Sequence, residues 1–211
     1  MSAGKKVKVS TPRAMTSLTK KIVEIDPAFA SAVKNLPPCR FGLDKPTSTS
    51  FQSLVRAIVA QQVSTKAAVT IYGRLERACG GRITPERVGE LSTSEIQAAG
   101  LTGAKVRAID EFTQAVISGS VQIKRFAYMS DDEIMEQLLP LFGFGKWTVE
   151  MFLIFHLGRI DIWPVDDLAV RRGWDNLHFG ATPVTPKSLR EMGEPFAGAR
   201  SVLAWYCWRA S

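Results

Sequence analysis

Residues 138–173 read LLPLFGFGKWTVEMFLIFHLGRIDIWPVDDLAVRRG. Two apolar runs flank the turn Gly143-Phe144-Gly145. One helix, carrying Leu138 and Leu139, enters the turn; a second, from about Lys146 to Leu157, leaves it and stops at Gly158. Glycine tolerates positive φ and lets another backbone come close. The first-turn amides of the second helix have no intrahelical partner, and with the helix dipole they favour an anion such as a phosphate. Lys146 and the Thr148 hydroxyl add donors. Glycine-capped helical hairpins are also common structural turns, so Gly-x-Gly alone is a weak signal. Further on, Trp163-Pro164 precedes Asp166-Asp167, and either aspartate suits the N-cap of the helix that follows.

Outward from this window the signals stay helical. Phe51, Leu54, Val55, Ile58 and Val59 recur at helical spacing, with Ser50 as the expected cap. Ser64 caps the next helix, Thr84-Pro85 opens a short one, and Ser130-x-x-Glu133 is a capping box. The chain ends in a segment read as amphipathic, with Val202, Leu203, Trp205, Tyr206 and Trp208. No stretch alternates with period two. The expected fold is all-α, a compact two-lobed bundle of about ten helices.

The 211 residues are 45% apolar and 22% charged, enough to bury a core. No run of 18 apolar residues could span a membrane, and the basic start carries no apolar signal segment. Cys39, Cys79 and Cys207 lie too far apart for a thiolate metal site, and His156 and His178 are the only histidines. The net charge of +7 suggests a polyanionic partner. Six cations fall in residues 1–21 with no acid, which leaves 21 cations against 20 acids elsewhere. Residues 1–16 are therefore expected to be a basic, disordered arm, and residues 17–211 a single domain.

The hairpin followed by a Gly/Pro-rich loop and Asp167 resembles the helix-hairpin-helix DNA glycosylase superfamily. Its 3-methyladenine DNA glycosylase II branch is the most similar, in a short form without the N-terminal β-lobe. FQSLVRAIVAQQVSTKAA, residues 51–68, looks like that branch's first core helix and wedge loop. Arg200-Ser201 through Trp208 looks like its final helix. The resemblance implies base-excision repair: monofunctional hydrolysis of the N-glycosidic bond of alkylated bases such as 3-methyladenine and 7-methylguanine, after base flipping.

By position, Asp167 matches the family's catalytic aspartate. A carboxylate there would stabilise the oxocarbenium character of the sugar and align the attacking water. Gln62 matches the wedge, and Gln61, Ser64, Gly143, Gly145, Lys146 and Thr148 the DNA-contacting turns. Trp147, Met151, Trp163 and Trp208 are the base-pocket candidates, since indole faces attract a cationic base by roughly 0.5–2 kcal/mol; each would serve equally well as core. The backbone carbonyls of Leu139, Leu141 and Phe144 match a structural monovalent cation site (Na+ or K+), and no other cofactor is expected. Trp147 stands where the family's lyases carry a lysine, so no Schiff-base chemistry is implied.

Three positions depart from the pattern: Phe142 replaces the proline before the first glycine, Met151 a pocket tyrosine, and Ser64 is short. A lesion-binding protein with little excision therefore stays open beside the enzyme, as does a helical adaptor that binds no DNA. The expected partner is double-stranded DNA with alkylated or abasic sites, bound by a monomer in the nucleus or nucleoid, with no membrane.

Overall fold

A computed structural model describes residues 11–180 and 182–211. It contains twelve α-helices and no strand among these residues. They fall into two compact units, residues 46–152 and residues 11–45 with 153–211.

The first unit begins with α3 (Ser50–Ala60) and α4 (Thr65–Ala78). Thr49, not Ser50, caps α3: its hydroxyl accepts the Gln52 N–H at 3.2 Å and the Gln52 side chain returns to the Thr49 N–H at 2.9 Å. The Thr-x-x-Gln box satisfies two otherwise unbonded donors, which the neighbouring serine could not do. Ser64 caps α4 as expected. Two short helices, α5 (Pro85–Gly89) and α6 (Thr93–Ala98), lead to α7 (Gly103–Ile117). The Ser130–Glu133 box opens α8 (Asp131–Leu138), and α9 (Lys146–Met151) follows the glycine turn.

The apolar stripe of α3 is at most 3% exposed at each of its five positions. Burying such side chains stabilises the unit by about 1.5–3 kcal/mol each. Phe51 stacks on Phe112 of α7, and Phe112 meets Phe144 of the turn, both at 5.1 Å between ring centres. One aromatic row thus ties α3, α7 and the hairpin together.

The second unit starts with α1 (Pro12–Ile25), capped by Thr11. Residues 12–16 of the expected arm are therefore helical, and Met15 is buried; its first ten residues lie outside the described ones. Asp26 caps a 3-10 turn before α2 (Ala30–Asn35). The helix expected to run from Lys146 to Leu157 changes hydrogen-bond register instead: α9 passes at Phe152 into a π-helical turn, Phe152–His156. Then come α10 (Leu168–His178), α11 (Pro186–Met192) and α12 (Arg200–Ala210).

The amphipathic reading of α12 does not hold. Ser201 through Cys207 are all buried, so the helix is enclosed on every side. Gly173 makes this possible: a Cβ there would collide with the Cys207 carbonyl, so only glycine lets α10 lie this close. Burial also pushes the thiols up, that of Cys39 to about 12, and they behave as small apolar groups.

Candidate functional site

The loop expected to carry the wedge connects α3 to α4. Gln62 is exposed and sits at φ +54°, a left-handed conformation costly for a side chain larger than glycine, of order 1 kcal/mol or more. Ser64 ends the loop, its hydroxyl accepting the Ala67 N–H at 3.2 Å. Gln61 points inward: its amide nitrogen donates to the Gly143 carbonyl at 3.0 Å and to the Thr148 hydroxyl at 3.4 Å. Two residues expected to contact DNA are thus spent on each other, and Thr148 is buried. The bond instead locks the wedge loop to the hairpin.

A third contributor was invisible in the sequence. Lys105, on the first turn of α7, donates from Nζ to the carbonyls of Val59 (2.8 Å) and Gln61 (2.6 Å). It caps the C-terminus of α3 from 44 residues away, and no local pattern signals such a bond. Partial burial lowers its pKa below the usual lysine value.

The hairpin glycines differ. Gly143 has φ +83°, and a Cβ on it would lie 2.6 Å from the Ala108 Cβ, so backbone and packing both demand glycine. Gly145 has an ordinary φ of −78°, and among the described residues nothing lies within 4 Å of a Cβ built on it. It is the N-cap of α9, with no side-chain cap of its own. Phe142, where the family pattern has proline, uses the N–H that proline lacks: it donates to Glu111 at 3.2 Å. The Arg107 guanidinium, itself paired with Glu111 at 2.7 Å, covers the Phe142 ring at 4.2 Å. The Arg107 partner holds the Glu111 carboxyl below the usual carboxylate range.

In the second unit, Asp167 is the N-cap of α10. Its Oδ1 accepts the N–H groups of Ala169 (2.8 Å) and Val170 (3.0 Å), and its own N–H donates to the Pro164 carbonyl at 3.0 Å. Asp166 is exposed and is not the cap. The loop leading to Asp167 is pinned along its length. Asp161 accepts from Arg200 through both oxygens, at 2.7 and 2.8 Å, and from the Gly198 N–H at 2.8 Å. Ser201 bonds both backbone groups of Ile162, at 2.9 and 3.2 Å.

The aromatic candidates separate. Trp147 is 52% exposed on α9, and Met151 lies one turn further on the same face, half-buried. Trp208 is half-buried on α12, its ring 5.5 Å from that of Phe155. Trp163 is core: it is 8% exposed, its indole N–H donates to the Leu189 carbonyl at 2.8 Å, and Gly193 makes room for the ring. Its sequence neighbours gave no sign of that slot. Phe155, beside Trp208, is 53% exposed although it lies in a run that reads as wholly apolar.

A glycine turn between α8 and α9 and a capped aspartate after a Gly/Pro-rich loop are the features of a helical DNA-repair domain. The chain belongs to the HhH-GPD superfamily of base excision DNA repair proteins, whose family model matches residues 55–197. It is 32% identical over 203 residues to DNA-3-methyladenine glycosylase 1 of Schizosaccharomyces pombe, covering 93% of this chain and 89% of that protein. Its fold matches that of the Schizosaccharomyces pombe 3-methyladenine DNA glycosylase in complex with abasic DNA (TM-score 0.76, 30% identity, 92% of this chain and 95% of that one). It also matches a DNA-3-methyladenine glycosidase from Bacillus halodurans (TM-score 0.83, 30% identity, 97% and 91%).

Proposed function

We propose that this protein is an alkylbase DNA glycosylase of base-excision repair, hydrolysing the N-glycosidic bond of cationic purines such as 3-methyladenine. The observation that carries the reading is the Asp167 carboxylate, oriented by two backbone N–H bonds at the head of α10. The chain's relatives are 3-methyladenine glycosylases over nearly their whole length.

Each residue then has a role. Gln62 enters the stack as the target base leaves it, and its amide hydrogen-bonds the orphaned partner base. Trp147, with Met151 one turn on along the same helix, offers the base a surface; the exposed indole face attracts the positive charge of an alkylated purine. As the C1′–N bond stretches, the electron pair goes to the base, which departs neutral because it was already cationic. The sugar develops positive charge, and Asp167 stabilises it. Water attacks C1′ and its proton passes to the carboxylate or to solvent. A substrate that carries its own positive charge needs no second acid, unlike an ordinary glycoside.

The hairpin holds the strand by phosphate contacts that carry no sequence information. Gly145 supports this: among the described residues nothing requires a glycine there, whereas close approach of a DNA backbone would. Lys146 adds charge at the same turn. The carbonyls of Leu139, Leu141 and Phe144 form part of the same turn, and that of Leu141 accepts the Phe144 N–H at 3.2 Å. A carbonyl has a second lone pair, so these oxygens suit a monovalent cation that would stiffen the turn. No step depends on it. Among the described residues no cluster of His, Cys, Asp or Glu could hold a metal, and no helix is long and apolar enough to cross a membrane. The protein would act as a monomer wherever chromosomal DNA is found, in a nucleus or nucleoid.

Release of free 3-methyladenine from methylated DNA tests the reading; no release by the wild type would end it. Tight binding to abasic duplex with no base release would decide instead for a lesion-binding protein without turnover.

A further inference from the structure

Gln62 stands at a left-handed φ, exposed, in a loop that packing does not hold. A cavity of about 280 Å³ runs beside it, lined by Gln61, Gln62, Lys105, Phe142 and Gly143 among others. A wedge must nonetheless keep its backbone fixed while the side chain is driven into a base stack. Polar bonds therefore have to hold it. Downstream, Ser64 anchors the chain to α4. Upstream, Gln61 is held twice, through its side chain to the hairpin and through its carbonyl to Lys105.

The Lys105 ammonium differs from the other anchors in gripping the backbone on both sides of Ala60. It gathers the Val59 and Gln61 carbonyls, which point out of the end of α3, onto a single positive charge. Carbonyls gathered in this way stop the helix at Gln61 and turn the chain into the left-handed step at Gln62. The charge also lies at the negative end of the α3 dipole. Lys105 is only half-buried, and both bonds are short.

We propose that Lys105 is a positioning residue for base flipping, acting through Gln62 by fixing the backbone step on which the wedge stands. It rests on Gln62 being the wedge. Its ammonium is engaged by the Val59 and Gln61 carbonyls, so its effect reaches DNA through that loop.

The test uses the full chain and a duplex with 2-aminopurine opposite a tetrahydrofuran abasic-site analogue, read by fluorescence and by Kd. Wild type should change the fluorescence on binding, and Gln62→Ala should lose most of that change. Lys105→Met, which keeps the stem and removes the charge, should also lose most of it and weaken binding about tenfold, within the range of coupled neighbours. In the Gln62→Ala background, Lys105→Met should add nothing. The salt dependence of Kd should be unchanged, whereas a lost phosphate contact would lower its slope by about one.

A wild-type signal from Lys105→Met, effects that add in the double variant, or a reduced salt slope would each overturn the proposal while leaving the wedge reading intact. A silent Gln62→Ala would remove the wedge reading and the proposal with it. If circular dichroism shows Lys105→Met to be unfolded, Lys105→Gln, which retains a donor, carries the same measurements.

Discussion

The Asp167 loop and the wedge–hairpin region are both irregular segments, but they are held in opposite ways. Residues 158–167 are fixed by charge and by burial: Asp161 on Arg200, Ser201 on Ile162, and Trp163 sunk into the core with its N–H satisfied. The loop after α3 is tied to the hairpin by the Gln61 amide and to α7 by Lys105, Gly143 of the hairpin lies against Ala108 of α7, and Gln62 and Trp147 stay exposed. The difference matches two tasks. A group that must meet a developing charge gains from a rigid surround that costs no reorganisation. A group that must enter DNA needs a fixed backbone and an exposed side chain.

The sharpest break of this comparison is Asp167→Asn. Asparagine caps helices about as well as aspartate, so stability should hardly change. Base release should fall by about 10²–10³-fold, the scale of losing one charge-stabilising group. Chromatography of free 3-methyladenine against the melting temperature of the same preparations separates cap from catalyst. Equal release by wild type and variant would mean that Asp167 only caps α10.

Next in size is Arg200→Met, which strips Asp161 of its bidentate partner and leaves the Gly198 N–H bond behind. Loss of hydrogen bonds to a charged group costs about 1.5–3 kcal/mol. At about 2–4 °C per kcal/mol for a chain of this size, calorimetry should record a drop of several degrees. Base release by the folded fraction should also fall, though less than for Asp167→Asn. A lower melting temperature with full release per folded molecule would show that the reaction does not need the loop held rigid.

Gly143→Ala should cost of order 1–2 kcal/mol, since it adds a contact with Ala108 to a backbone conformation that disfavours a side chain. A chemical denaturation midpoint would report it. Unchanged stability would mean that the turn relaxes easily, against the view that α7 braces it.

What was readable in the sequence was what depends on neighbours along the chain. The Ser64 and Ser130 caps, the α3 stripe and the order hairpin, loop, Asp167 are all local patterns. Thr49 was overlooked because Ser50 stood one place nearer the stripe, and only the Gln52 return bond decides between them. The errors arose where distant segments meet. Trp163 fills a slot opened by Gly193, α12 is enclosed because Gly173 admits it, and Lys105 reaches back 44 residues to cap α3. Spacing carries no trace of such contacts. The Gln61 amide bonds Gly143 and Thr148 across more than 80 residues, a contact that spacing does not signal either.

Gly145→Ser is the smallest change and the most direct probe of the hairpin. Serine is at least as good an N-cap as glycine, so α9 should gain a few tenths of a kcal/mol or stay level. Among the described residues no atom beyond the chain neighbours lies within 4 Å to resist the new Cβ, and φ is already in ordinary range. Folding therefore gives no reason for a penalty. If the turn clasps a phosphate through its amides, the serine side chain stands between strand and backbone, and the Kd for abasic duplex should rise several-fold. Gly143→Ala would weaken binding only as far as it unfolds the turn, so the two glycines should separate stability from affinity. A Gly145→Ser variant that melts at or above the wild-type temperature and binds abasic DNA as tightly would show that no strand approaches this turn closely. The contact would then have to lie with side chains such as Lys146.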